Sequence, residues 1–77
     1  AQHDYAAAEK VYRELANLQP DNLLVTNNLA LSIAAQGCHA KAVAILQQAL
    51  AAAATQAEIG RLLRQTLADI ENSKAGS

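Results

Sequence analysis

The chain has 77 residues, a formal charge of -1 and one cysteine, Cys38, so it holds one small domain without a disulfide framework. That charge balance leaves no electrostatic footprint for nucleic acid or anionic lipid, and no apolar run approaches the ~18–20 residues that cross a bilayer. Abundant alanine with no Trp, Phe or Met suits closely packed helices better than a sheet sandwich.

Residues 4–18 read as a first helix, with Asp4 as N-cap and Tyr5, Ala8, Tyr12 and Leu15 recurring at spacings of three and four. The segment Gln19-Pro20-Asp21-Asn22 stops it, because Pro20 disfavours helical geometry at Gln19 and Asp and Asn suit a turn. A second helix is expected from Leu23 to Gln36, with Leu24, Leu29, Ala30, Ile33 and Ala34 as its apolar set. Gly37 closes it at the place where a left-handed residue commonly ends a helix. A third helix is expected over 39–54, carrying Ala42, Val43, Leu46, Ala49 and Leu50. Thr55-Gln56-Ala57-Glu58 has the form of a capping box and predicts the start of a fourth helix. Ile59, Leu62, Leu63, Thr66, Leu67 and Ile70 then make a one-faced stripe, with Arg61, Arg64, Gln65, Asp69 and Glu71 on the other side. Residues 73–77 are expected to form a disordered tail. The expected class is all-α, with about four helices and no strands.

The chain also repeats itself. Laid over residues 37–56, residues 3–22 place His3 on Gly37, Ala8 on Ala42, Tyr12 on Leu46 and Leu18 on Ala52, a shift of 34 residues. Asn28-Leu29-Ala30, Ile33 three further on, then Gly37 and Ala42 follow in register. Tyr5, Ala8, Tyr12 and Pro20 supply a matching preceding half. In this pattern the chain resembles the tetratricopeptide repeat family over nearly its whole length. The resemblance implies an αα-hairpin solenoid coiled as a right-handed superhelix. It divides the chain into the second half of a repeat (1–22), a complete repeat (23–56), a capping helix (57–72) and the tail. Ala8, Ala30 and Ala42 are then the small residues at close helix crossings, where a larger side chain would overpack the contact by about 1–3 kcal/mol.

Three positions depart from the family pattern. Leu15 stands where a small residue is preferred, Ala54 replaces the closing proline, and Arg64 occupies the place that Ala30 holds one repeat earlier. A charged side chain does not sit in a close crossing without a paired partner, so the fourth helix reads as a terminal cap with a polar outer face. The first helix lacks such a cover. The expectation is the C-terminal end of a longer array, or a second copy of the chain covering the Tyr5 and Tyr12 side.

Members of the family bind peptides in the groove lined by the first helix of each repeat. Carried over residue by residue, that groove comprises Leu24, Asn27, Asn28, Leu31 and Ala35, with Glu58, Arg61 and Gln65 from the fourth helix. Asn28 is the sharpest candidate, since an amide both donates and accepts and can hold a peptide backbone. The family's clamp for acidic chaperone tails is not expected, because the basic half is missing and Glu58 would repel an acidic terminus.

Cys38 and His39 adjoin at the turn without the four-ligand spacing of a structural zinc site, and His3 makes no convincing third ligand. No phosphate loop, nucleophile elbow or buried carboxylate pair is evident. The reading is a non-catalytic module with no cofactor or metal, partnered by a protein or peptide. The alternative is a structural segment that oligomerises or docks onto a larger protein through Tyr5 and Tyr12. A soluble location, cytoplasmic or periplasmic, is expected. The alanine-rich, lysine-poor composition suggests, on composition alone, a bacterial secretion or envelope-assembly setting.

Overall fold

The computed structural model describes the backbone of residues 4–76 and the side chains of residues 4–73. His3 and Ser77 therefore lie outside the described residues. Four helices follow one another: α1 (Tyr5–Leu18), α2 (Leu23–Ala35), α3 (His39–Ala52) and α4 (Ala57–Gly76). Among the described residues there is no strand, and no helix is long and apolar enough to cross a membrane.

Local chemistry accounts for most of the helix ends. The Asp4 carboxylate accepts from the Ala7 backbone N–H at 3.1 Å and caps α1. Asn22 does the same for α2, accepting from Leu24 and Val25 N–H at 3.2 and 3.4 Å. At the end of α2, Gly37 adopts φ +92°. Its N–H reaches the Ala34 carbonyl at 2.9 Å, and the Cys38 N–H reaches that of Ile33 at 3.3 Å. These paired bonds form a Schellman motif, which satisfies two carbonyls that the helix itself leaves open.

α2 ends at Ala35 with the expected last residue Gln36 as its C-cap, and three further boundaries differ from the sequence reading. α3 stops at Ala52 rather than at residue 54, and Ala53 is its C-cap, bonded back to Ala49 at 2.9 Å and Leu50 at 3.1 Å. Ala53 is buried, so turning the chain there lets α4 fold back onto α3, which outweighs the mild helical preference of alanine. The expected capping box is displaced by one residue: the Gly60 N–H bonds to the Gln56 carbonyl at 2.8 Å, making Gln56 the cap position and leaving Thr55 in the turn. At the other end α4 continues to Gly76, past the expected stop at residue 72. The added Ser73-Lys74-Ala75 stretch contains no helix breaker.

The helices pack in an open order. α1 lies against α2, α2 against α3 and α4, and α3 against α4. Connections of a few residues reverse the chain between α2 and α3 and again between α3 and α4. α2 and α4 consequently run in the same direction, side by side. The molecule measures 36 × 30 × 17 Å, a slab about two helix layers deep at the usual 8–10 Å between packed axes.

The core sits where α2, α3 and α4 meet. Ile33, Leu46 and Leu63 are its largest fully buried side chains. Ala30 and Ala42 have no exposure and Ala49 is nearly as buried, so small residues do occupy the tight places, as expected for two of the three alanines. Ala8 is only half-buried. α2 buries residues over more than half of its circumference, Leu23, Asn27, Leu29, Ala30, Ser32 and Ile33, and leaves Leu24, Leu31 and Ala35 on its open face. That is the pattern of a helix covered on several sides. It also corrects the apolar set read from sequence, since Leu23 is buried and Leu24 is 49% exposed. Leu62, expected on the buried stripe of α4, is 37% exposed. α1 has no buried residue at all. Tyr12 packs on the core from the side, while Val11 and Leu18 face outward.

Candidate functional site

Two clefts open between the helices, and both use α2. The first, about 250 Å³, lies between the C-terminal halves of α2 and α4. Leu31, Ala34 and Ala35 come from α2, Asp69, Ile70 and Ser73 from α4, and His39 from the start of α3. The helical period explains the α2 side: positions 31, 34 and 35 are neighbours on one face. Ile70 is largely buried and joins this cleft to the core. The second cleft, about 240 Å³, lies between α1 and α2 and is lined by Tyr5, Ala8, Tyr12, Asn28, Leu31 and Ser32. Leu31 separates the two and is 43% exposed.

The polar groups of the first cleft are mainly acceptors. The Gln65 amide donates to Asp69 Oδ1 at 3.0 Å, which leaves the second carboxylate oxygen open to a further donor. His39 Nδ1 lies 3.3 Å from the Gly37 carbonyl. A carbonyl can only accept, so a hydrogen on Nδ1 makes this contact a hydrogen bond. No Lys or Arg lines this cleft among the described residues, and the last turn of α2 has no basic side chain. The negative end of the α2 dipole thus meets the cleft without a cation of its own helix.

The second cleft is closed off at one side by a polar clasp. The Gln36 amide donates to Glu9 Oε1 at 2.7 Å and to the Ser32 carbonyl at 3.1 Å. Arg13 pairs with the other Glu9 oxygen at 2.7 Å. The Arg13 and Gln36 donors hold the Glu9 carboxyl below its ordinary range, with the fields of Arg13 and Lys41 acting in the same direction and desolvation opposing them. Ser32 itself donates to the Asn28 carbonyl one turn back at 3.0 Å.

The groove residues read from sequence separate into several groups. Leu31 and Ala35 line the α2/α4 cleft, whereas Asn28 joins Leu31 in the cleft beside α1. Leu24, Glu58, Arg61 and Gln65 are exposed but line neither cleft. Asn27 is a correction. It is 5% exposed, and its side-chain oxygen is buried without a hydrogen-bond partner, because α2 is covered on this side as well. Tyr5 and Tyr12 line one cleft, with Tyr5 40% exposed and Tyr12 half-buried.

Asp69, Ile70, Ser73, Ala34 and His39 were not read as groove residues. The repeat shift already pointed to one of them, since moving Ala35 forward by 34 residues lands on Asp69. The position of His39 had no such signal, because it depends on how the turn after Gly37 folds back. Cys38 is exposed and free. Among the described residues, no three His, Cys, Asp or Glu side chains gather at one point. No family model, curated protein or solved structure matches the chain.

Proposed function

We propose that the chain is a non-catalytic binding module of the tetratricopeptide type, its paired helices coiled as a right-handed solenoid, that holds a peptide or protein segment between α2 and α4. The observation that carries this reading is the apolar cleft formed by two helices running in the same direction, floored by Leu31, Ala34, Ala35 and Ile70. Such a channel suits an extended segment: its floor rewards apolar burial while its open top admits a chain. The 34-residue period supplies the family reading, and the Asn28-Leu29-Ala30 and Gly37 register agrees with it.

Selection of a phage-displayed random peptide library against the immobilised protein tests the proposal. Enriched peptides should lose binding to Leu31→Asp while that variant keeps its helical circular dichroism. Peptides that bind wild type and Leu31→Asp equally would contradict it.

A second reading has its own observation. α1 buries no residue, and Tyr5, Ala8 and Tyr12 edge the other cleft. In this reading the α1 side packs on a second copy or on another part of a larger protein. Light scattering after size exclusion, with reductant to keep Cys38 free, separates the two. A dimer that Tyr12→Lys converts to monomer favours the α1 side, and a monomer of about 8 kDa at every concentration rejects self-association.

A further inference from the structure

We infer that the α2/α4 cleft accepts a lysine or arginine side chain of the bound segment, its methylene stem lying along Leu31, Ala34 and Ile70 and its cationic head meeting Asp69. This rests on the cleft being the partner-binding site and names the chemistry that would occupy it.

Two features of the cleft, its lining and its rim, converge on an occupant that is apolar along its length and positive at its tip. The lining is dominated by aliphatic carbon, which a four-carbon lysine stem or three-carbon arginine stem can cover while its head stays near water. The rim offers acceptors: the Asp69 oxygen that Gln65 leaves open and the Ser73 hydroxyl. An ammonium or guanidinium group supplies donors only, so it satisfies such a rim where a carboxylate or a plain aliphatic group does not.

The charge pattern agrees. Among the described residues no Lys or Arg lines the cleft, and two of the cations are placed elsewhere. Arg13 pairs with Glu9 on α1. The guanidinium of Arg64 lies beside Gly60, in the N-terminal half of α4 and away from Asp69. The cleft is therefore left with a carboxylate and the C-terminal end of α2, both attractive to a positive head. A purely hydrophobic occupant would cover the floor but strand Asp69 against apolar surface. An acidic occupant would place two carboxylates together.

Four blocked tripeptides test the inference: Ac-Ala-Lys-Ala-NH2, Ac-Ala-Arg-Ala-NH2, Ac-Ala-Leu-Ala-NH2 and Ac-Ala-Glu-Ala-NH2. Each is titrated into 15N-labelled protein while the amide resonances are followed. The Lys and Arg peptides should move the Leu31, Ala35, Asp69 and Ile70 signals, more strongly than the Leu peptide, and the Glu peptide should leave them in place. Asp69→Asn should weaken the Lys peptide about threefold to fivefold, the scale of a partly exposed ion pair. Asp69→Lys should remove the preference for cations. Asp69 is exposed, so neither change threatens the fold.

Equal response to the Leu and Lys peptides, or no effect of Asp69→Asn, overturns the cation assignment while leaving peptide binding in the cleft intact. Absence of any response at these four amides also overturns it. Library-selected peptides that bind only outside the cleft remove the binding-site reading as well.

Discussion

At the scale of single residues, Asn27 is the clearest conflict between the sequence and its surroundings. A buried acceptor without a partner costs about 1–3 kcal/mol, and the Asn27 side-chain oxygen is in that position. Asn27→Leu keeps the branched heavy-atom outline, adds some bulk and removes the orphaned group, so it should raise stability by about 1 kcal/mol in urea unfolding; a loss of stability from both Asn27→Leu and the smaller Asn27→Ala would show that the amide is satisfied in solution. Glu9 predicts a pH effect of definite sign. Its carboxyl is held below the ordinary value of 4.5 by the Arg13 and Gln36 hydrogen bonds. Its contribution is fully present above that value and disappears as pH falls through the lower folded-state value. Glu9→Gln should therefore melt below wild type at neutral pH, with the gap narrowing in acid. A gap that widens in acid would reverse the assignment. Neither residue's environment was legible beforehand. The family resemblance placed Asn27 beside Asn28 on a groove, but a sequence pattern cannot tell which sides of a helix are covered once three neighbours pack on it.

Helices themselves were legible because each carries its own punctuation. Asp4 caps α1, Pro20 lies just beyond its end, and Gly37 closes α2 in the conformation its position required. The ends that moved, around Ala53 and Thr55, lie in an alanine-rich stretch without Pro or Gly, where propensity is nearly flat and tertiary packing decides. Two glycines give opposite predictions at this scale. Gly37→Ala meets nothing within 4 Å, yet φ +92° strains any side chain, so roughly 1–2 kcal/mol should be lost. A Cβ at Gly60 would sit 3.7 Å from the Arg64 guanidinium nitrogens and 3.9 Å from the Ala53 carbonyl, which is ordinary contact. Gly60→Ala should then stabilise the chain by about 0.5–1 kcal/mol through the helix propensity of alanine. Thermal melts of the two variants check the pair: both moving the same way would contradict the helix termination described for α2 and α4.

At the scale of the whole molecule, the arrangement follows from short reversals joined to small residues. Ala30 and Ala42 let the helices approach closely, and two reversals bring α4 alongside α2 in the same direction. The alternation of helices and the buried alanines could be read from the 34-residue shift. The composition of the α2/α4 cleft could not, because His39 and Ser73 enter it through the path of a turn and the continuation of α4. Both proposals about binding depend on this side-by-side placement. The most direct test attaches a nitroxide spin label to Cys38, the single cysteine and an exposed one, and measures broadening of amide signals along α4. Cys38 adjoins His39, which shares the cleft with Asp69, Ile70 and Ser73. The amides of residues 69–73 should broaden strongly, while those of residues 57–60, more than two helical turns away, should be affected far less. Broadening confined to residues 57–60, or absent from α4 altogether, would mean that α2 and α4 do not enclose the cleft.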